Sequence, residues 1–399
     1  MPQFSFIYSI PYVIFFLLLY VNALPINKLN SNSTYSWSFN NWLQIFTIVV
    51  ILLVFIGFRG FIYTDWISYY PFFNTAPTLF DGWQTIVVFF HSPWENGFLL
   101  YTILLRTVSA NYFLFQLVSF VINLLVLFCF FKRVIPKYIA FGFLFYILFS
   151  GLVIEINLLR NSKSIMLFLI SLKYLEEKKF IKYTIINILG SLFHITALLY
   201  IPLFFLLHKK YPKSVIMLFF AIGNILFIFQ IEWFKLVLLQ ISTFIPGRLG
   251  ILMNTYLDSY TFTSAYGISI GSLERFFSFI LFFSLSGKLC KINKNNLIYI
   301  NAYYLYAFIF LYFSEMRIIP ERIGILLIFS YWILYPQIYS FLEKKSKYIF
   351  LMLLLIYGIL KMGVGHKAII TRYDNILLPH KSFSERVIIL NEHLRYLNL

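Results

Sequence analysis

Ten hydrophobic runs divide the chain, and short polar segments separate them. The runs lie at residues 4–23, 43–59, 111–131, 138–156, 162–176, 214–231, 268–286, 297–314, 322–341 and 348–364. Lipid offers the backbone no hydrogen bonds, so each span should be helical. Since about 20 apolar residues cross a bilayer as a helix, the pattern predicts an all-α, polytopic membrane protein with about 10–12 transmembrane helices.

The segment 182–207 departs from this pattern because it is too long for one comfortable span and too short for two. Gly190 and His194 interrupt its apolar run, and basic residues flank both ends. We predict two short helices that meet at membrane depth, which is a re-entrant helical hairpin.

Lysines cluster in short loops at residues 132–137, 173–182, 209–213, 288–294 and 344–347. Short basic loops stay in the cytoplasm, which fixes the orientation of the spans. The outer face then carries residues 60–97, 155–163, 232–267, 315–322 and 366–399. We therefore predict a single transmembrane domain, 1–365, followed by an outer-face tail, 366–399.

The composition supports the membrane class, with 61% hydrophobic and 22% aromatic residues among 399. Apolar side chains are too many for one soluble core. The net charge of +17 does not indicate a nucleic-acid partner, because the basic residues lie between hydrophobic runs. The two cysteines, Cys129 and Cys290, suggest neither a disulfide framework nor a zinc site. We expect no metal and no cofactor.

Arginines are distributed differently from lysines. Of eleven arginines, only Arg133 lies in a predicted cytoplasmic loop. Those at or near the predicted outer face are Arg59, Arg160, Arg248, Arg275, Arg317, Arg322 and Arg372. A guanidinium presents a fixed fork of donors that matches phosphate oxygens in pairs. We interpret the bias as a phosphate-binding site. The alternative is that each arginine reaches outer headgroups or pairs with a carboxylate.

Arg160 is the strongest member of this set. Asn157, Asn161 and Ser164 surround it at helical spacing and predict a polar stripe on one face, which should line a cavity rather than meet lipid. Besides Arg160, the predicted substrate ligands are Asn157, Lys163, Arg248, Arg275, Arg317 and Arg322.

The outer segment 60–97 adds groups suited to sugar. Asp65, Trp66, Tyr69 and Tyr70 lie within about one helical turn, so a carboxylate accompanies aromatic faces that can stack on sugar rings. An interfacial aromatic belt has the same composition. Further along the segment, Ser92, Pro93 and Glu95 form a capping-box pattern, which favours a structural role for Glu95.

His194 lies at the predicted break of the hairpin. A neutral imidazole can take a proton from an attacking hydroxyl, although a lone histidine in a membrane helix more often bonds a neighbouring helix. Other acidic and basic residues are expected to pair with each other or with another helix. These are Glu274, Arg275, Glu315, Arg317, Glu321 and Arg322.

Three sequence elements, in this order, resemble the EpsG family of Wzy-type polysaccharide polymerases. They are "TDWISYYPFF", "WENGFLLYTILL" and the segment from "LLRNSKSIML" to "FHITALLYIPLFFL". The matching positions are Asp65, Tyr69, Glu95, Gly97, Phe98, Arg160, Phe193, His194 and Ala197. One departure is Asn161, since family members often carry glutamine after the arginine. The C-terminal half resembles the family by topology and by an arginine near a late outer loop, Arg317 or Arg322.

The resemblance implies a GT-C-like membrane glycosyltransferase of the bacterial cytoplasmic membrane. Such an enzyme transfers a growing glycan from undecaprenyl pyrophosphate to another lipid-linked repeat unit at the outer face, without a metal. Arg160, with Arg317 or Arg322, would bind pyrophosphate. Asp65 or His194 would act as base, and Tyr69 and Trp66 would contact sugar. The implied partners are the lipid-linked oligosaccharide, the bilayer, and flippase and chain-length regulator proteins.

Three other classes remain open at this point. A glycan ligase would share the outer arginines but deliver the glycan to another acceptor. A flippase would need charge along the whole depth of a cavity, which the one-sided arginines do not suggest. An acyltransferase would favour a histidine paired with an acid, and the sequence has no such local pattern.

Overall fold

The computed structural model describes residues 2–24, 39–244, 257 and 264–397. These residues form helices, with two isolated β-bridges, Phe4 to Ala368 and Arg59 to Asn375. The predicted all-α, polytopic class is confirmed. The helices are α1 (Ile10–Ala23), α2 (Phe39–Leu52), α3 (Trp66–Thr75), α4 (Trp83–Phe90), α5 (Asn96–Val108), α6 (Tyr112–Val134), α7 (Ile139–Tyr146), α8 (Leu152–Ile156), α9 (Leu159–Glu176), α10 (Phe180–Ser191), α11 (Leu203–Leu206), α12 (Lys213–Ile228), α13 (Trp233–Phe244), α14 (Ile270–Ile292), α15 (Asn296–Tyr312), α16 (Ile318–Arg322), α17 (Phe329–Phe341), α18 (Lys344–Gly365) and α19 (Phe383–Tyr396).

Within the described residues, six helical segments are long and apolar enough to cross a membrane. They are Phe6–Ala23, Phe39–Gly57, Tyr112–Val134, Pro136–Ile156, Ile270–Ile292 and Lys344–Gly365. Two bent helix pairs raise the number to eight if each is one span. The predicted run 297–314 folds into a shorter helix, α15, and long spans are fewer than the ten to twelve predicted.

The chain divides into two compact units, residues 1–201 with 335–399, and residues 202–334. In the first unit, Pro136–Ile156 is the most buried span. It is kinked at Ser150, whose φ is +71°. A left-handed residue interrupts the helical hydrogen-bond ladder, and α8 therefore starts as a separate short helix.

Buried polar groups join α6, α8 and α9 in the same unit. Lys163 Nζ donates to Ser119 O at 2.6 Å and to Asn123 Oδ1 at 2.8 Å, and Asn123 Nδ2 donates to Glu155 Oε2 at 2.9 Å. Tyr146 donates to the same Glu155 carboxylate. Buried ionisable groups in a helical bundle are usually paired with an opposite charge and hydrogen-bonded. Here Asn123 bonds both Lys163 and Glu155. Lys163, a predicted substrate ligand, is only 5% exposed and lies in this network.

The chain doubles back after α10, where a hairpin was predicted. A break at Leu192–His194 leads into a 3₁₀ helix, Ile195–Tyr200. Tyr183 OH donates to Tyr200 O at 2.5 Å at the open end, and a Cβ on Gly190 would lie 3.2 Å from Ala197 Cβ near the turn. The two legs therefore run antiparallel, and the small residues let them approach closely.

The tail 366–397 packs against the segment 58–76, which contains α3. Tyr63 N donates to Ile370 O at 3.0 Å, and Gly60 N donates to Asp374 O at 2.9 Å. Phe383 of α19 stacks on Tyr70 with 4.7 Å between ring centroids. Within the tail, Asp374 and Arg386 form a buried ion pair at 3.0 Å. The tail thus completes the aromatic core around α3.

The second unit contains α11–α16, and one carboxylate organises one of its turns. Phe234 N and Lys235 N, in the first turn of α13, donate to Glu315 at 2.6 and 3.3 Å. A carboxylate at a helix N-terminus satisfies donors that have no partner within the helix. Glu315 was expected to pair with another charged residue, and these backbone bonds are its observed hydrogen bonds among the described residues.

Candidate active site at the start of helix α9

The guanidinium of Arg160, the second residue of α9, is held on three sides. Nη1 donates to the Glu95 carboxylate, and Nε donates to Tyr69 OH at 3.4 Å. Cζ lies 4.2 Å from the centroid of the Trp94 ring, a cation–π contact. Nη2 has no hydrogen-bond partner among the described residues. Because the Arg160 side chain is 24% exposed, this edge of the guanidinium can reach a ligand.

Glu95 has a different role from the one predicted. Helix α5 begins at Asn96, and Glu95 precedes it without capping it through the side chain. Ser92 Oγ is buried and has no hydrogen-bond partner among the described residues. The predicted capping box is therefore wrong. The carboxylate pairs instead with Arg160, which lies 65 positions further along the chain.

The start of α5 docks on the turn of the hairpin. Gly97 N and Phe98 N both donate to Leu192 O, at 2.8 and 3.2 Å. A Cβ on Gly97 would lie 2.8 Å from the same oxygen, closer than real Cβ contacts. This position therefore requires glycine. The contact places Glu95, which immediately precedes α5, beside the turn that carries Phe193 and His194.

His194 caps the 3₁₀ helix that follows it. Its Nδ1 accepts from Thr196 N at 3.3 Å and lies 2.7 Å from Thr196 Oγ1, which in turn donates to Asn161 Oδ1 at 3.2 Å. Thr196 engages Nδ1 through both its backbone N–H and its hydroxyl, so this nitrogen serves the cap and is not available to a substrate hydroxyl.

Asp65 lies at the N-terminus of α3, one turn before Tyr69. Its carboxylate accepts from Thr64 Oγ1 at 3.4 Å. Asn157 Oδ1 accepts from the backbone N–H groups of Thr64 and Asp65, at 3.3 and 3.4 Å. Asn157 thus ties Asp65 to the residues just before α9. Two connections therefore join Asp65 to Arg160. Asn157, which accepts from Asp65 N, lies three residues before Arg160, and Tyr69, one turn after Asp65, contacts the Arg160 guanidinium.

The predicted polar stripe is only partly a stripe. Helix α9 begins at Leu159, so Asn157 lies outside it. Asn161 and Ser164 are buried and bond to each other at 2.8 Å, and Asn161 also meets the hairpin through Thr196. These residues join α9 to the hairpin rather than line an open cavity. One buried polar atom, Asn161 Nδ2, has no partner among the described residues.

The predicted aromatic residues pack into the core around α3. Trp66 is 4% exposed and donates its indole N–H to Tyr63 O at 3.0 Å, and Tyr70 stacks on Phe383. Both belong to the aromatic core rather than to an exposed sugar platform. Tyr69, 6% exposed, belongs to the same core, and its hydroxyl contacts Arg160, as does the ring of the partly buried Trp94. The sequence analysis missed Trp94, although it directly precedes Glu95.

Three of the remaining predicted substrate arginines belong to the second unit. Arg248 is outside the described residues. In the second unit, Arg275 donates to Tyr306 OH at 3.4 Å and covers the Phe310 ring at 3.6 Å. Arg317 pairs with Glu321 at 2.6 Å as expected, and Arg322 is exposed. Glu274 accepts from Ser278 at 2.5 Å and from Tyr331 at 3.3 Å. A shared site of these arginines with Arg160 stays a prediction.

A family model described as the EpsG family matches residues 42–380, which is most of the chain. The chain belongs to the EpsG family. No curated protein and no solved structure gives a significant match. As an EpsG protein it is a multi-pass membrane protein of the polysaccharide-polymerase type, with glycosyltransferase-like activity. The match includes Asp65, Glu95, Arg160 and His194, and it ends before α19.

Proposed function

We propose that this EpsG protein elongates a polysaccharide by transferring a growing glycan from undecaprenyl pyrophosphate to a lipid-linked repeat unit, at the outer face of the cytoplasmic membrane. The acceptor is a sugar hydroxyl at the end of the repeat unit. Its oxygen forms a bond to the anomeric carbon as the bond from that carbon to the pyrophosphate oxygen breaks. The pyrophosphate leaves with the electron pair, and a base takes the hydroxyl proton.

The observation that carries this proposal is the fixed orientation of Arg160. Glu95 and Trp94 hold the plane of the guanidinium, while Nη2 is open and the Nε contact to Tyr69 is long, 3.4 Å. A phosphate oxygen can replace Tyr69 at Nε while a second one meets Nη2. This two-point contact would stabilise the charge that develops on the departing pyrophosphate.

Asp65 is the better candidate for the base. The Glu95 carboxylate is already engaged, because it is ion-paired to Arg160. His194 uses Nδ1 in the cap, where both Thr196 groups contact it. Asp65 is only partly buried, and Asn157 and Tyr69 connect it to Arg160. We assign proton transfer to Asp65 and a positioning role to His194.

The decisive experiment supplies purified protein with a purified lipid-linked repeat unit and no other enzyme. Carrier-linked glycans of two or more repeats are expected. Glycan released onto a different acceptor would identify a ligase. Repeat units that cross a vesicle membrane without growing would identify a flippase, and either result would overturn the polymerase proposal.

The outer-face placement has its own test. Ser68, Ser384 and Ser346 are exposed, so cysteines there should be accessible to reagents on their side of the membrane. In intact spheroplasts, an impermeant thiol reagent should label cysteine at 68 and 384 but not at 346. The reverse pattern would place Arg160 and its neighbours on the cytoplasmic side and contradict the proposed site of polymerisation.

A further inference from the structure

The second unit contains an apolar cavity of about 210 Å³ that the proposed chemistry does not use. It lies among α12, α14 and α15, and its walls include Val215, Phe219, Phe279, Tyr304, Ala307 and Leu311. From Asn301 to Leu311 it follows α15 for about 15 Å at the helical rise of about 1.5 Å per residue. This length is roughly half of a hydrocarbon core that is about 30 Å thick.

One end of the cavity is fixed by a buried amide. Asn301 is 4% exposed, and its Nδ2 donates to Leu207 O at 2.9 Å and to Lys209 O at 2.8 Å. These bonds fasten the turn before α12 to α15. Lys209 and Lys210 lie on that turn, and Lys213 starts α12 two residues before the cavity residue Val215. Lysines therefore border this end of the cavity.

The same end of the unit is strongly basic. Helix α14 ends at Ile292 and α15 begins at Asn296, so their connection lies at the end where α12 starts. The lysines on these turns and helix ends are Lys209, Lys210, Lys213, Lys288, Lys291 and Lys294. In the described part of the chain, none of them has an ion pair. The described acids of this unit, Glu232, Glu274, Glu315 and Glu321, lie at the opposite helix ends.

We propose that this cavity binds one acyl chain of an anionic phospholipid, with the phosphate against Lys210 and Lys213. The pairing of an apolar slot with unneutralised lysines is complementary to an anionic headgroup joined to a chain. The slot reaches only about one leaflet deep, which suits an acyl chain better than a long polyprenyl tail. This proposal does not depend on the chemistry assigned to Arg160.

The test uses the purified full-length protein with three probes: phosphatidylglycerol, phosphatidylcholine of identical acyl chains, and a polyprenyl phosphate. Native mass spectrometry measures retention, and thermal unfolding measures stabilisation. Phosphatidylglycerol should bind best and raise the unfolding temperature most. The double variant Lys210→Gln with Lys213→Gln should lose roughly 30-fold in phosphatidylglycerol affinity. Each lysine near an anionic lipid surface contributes about 1 kcal/mol of binding free energy, which is roughly a fivefold change in affinity. The matched control, Lys344→Gln with Lys345→Gln, should keep the wild-type affinity.

The slot itself is tested by filling it. Ala307→Phe should abolish retention of the lipid, and Ile216→Trp, at a partly exposed cavity residue, provides a second variant if the first does not fold. Equal retention of phosphatidylglycerol and phosphatidylcholine by the wild type would overturn the proposal, because the slot would then be an unselective lipid contact. Displacement of phosphatidylglycerol by polyprenyl phosphate at equal concentration would overturn it in favour of a carrier-tail site.

Discussion

Gly97 donates its backbone N–H to Leu192 O at 2.8 Å, and no side chain fits between them. This contact joins the start of α5 to the hairpin turn and so sets the distance between Glu95 and the elements around Arg160. The candidate site around Arg160 therefore depends on a backbone contact between segments nearly a hundred residues apart in sequence.

Replacing Gly97 by alanine should reduce both folding stability and chain elongation. The added Cβ must displace Leu192, and such overpacking typically costs about 1–3 kcal/mol. Thermal unfolding and the length of carrier-linked glycan measure the two effects. Gly363→Ala is the matched control, because nothing lies within 4 Å of a Cβ there. If Gly97→Ala behaves like the control, the close contact is not needed for the site.

Arg160→Lys should lower elongation nearly as much as Arg160→Ala, although it keeps the charge. Lysine cannot contact Glu95 and a phosphate in fixed directions at once, because its ammonium is a single point of charge. The readout is glycan length on the carrier in cells without the chromosomal copy, at equal protein amount. Near wild-type length in Arg160→Lys would refute the two-point contact.

Arg106→Lys is the control for this series. Arg106 lies at the end of α5 and donates to Ala110 O at 2.8 Å, away from the Glu95 pair. Its replacement should leave chain length unchanged. Glu95→Gln should have an intermediate effect, because an amide still accepts one bond from Arg160 but no longer carries the charge.

His194→Asn should retain most activity, whereas His194→Gln should lose much of it. Asparagine is a strong N-cap and can accept from Thr196 N in place of Nδ1, but the longer glutamine is a poor cap. A base acting through Nε2 would predict severe loss in both variants. The pH profile of elongation adds a second readout, which should keep its wild-type shape in His194→Asn.

His366 should make folding stability sensitive to acid. It follows α18, its ring stacks on Tyr12 at 3.9 Å, and Nε2 lies 2.7 Å from Tyr63 OH. Burial lowers the pKa of His366 from 6.5 to about 4. Between these values the unfolded chain binds a proton and the folded protein does not, so stability is full above pH 6.5 and falls as the pH drops toward 4.

The expected loss over this window is about 3 kcal/mol from His366 alone. It is measured as the decrease in unfolding temperature from pH 7 to pH 4.5. His366→Phe should be less stable at pH 7 but should show a flatter dependence. An equally steep decrease in the variant would assign the acid sensitivity to other groups.

The sequence correctly predicted those features of the fold that depend only on residues close together in the chain. The hydrophobic runs predicted the all-α class, and Gly190 and His194 marked the region where α10 ends and the chain turns back. Arg160 was identified because it is an isolated charge between apolar segments. These inferences needed no knowledge of distant contacts.

The contacts that the sequence did not predict are those whose partners lie far away along the chain. Ser92, Pro93 and Glu95 form a valid local capping pattern, but the partner of Glu95 is Arg160. Trp66 and Tyr70 have the composition of a sugar platform, yet Phe383, from the far end of the chain, covers them. Lys163 was assigned to substrate, and its bonds to Ser119 and Asn123 come from another helix. Such pairings follow from tertiary packing rather than from spacing.

The docking of the tail on the outer segment limits how this protein can be recombined with its relatives. A chimaera that exchanges only the family-matched residues would pair a foreign outer segment with the native α19, so Phe383 would meet a ring pattern that did not evolve beside it. Residues 58–76 and 366–397 form one structural module split across the sequence. A functional exchange between EpsG proteins should therefore move both pieces together, even though the second extends past the end of the family match.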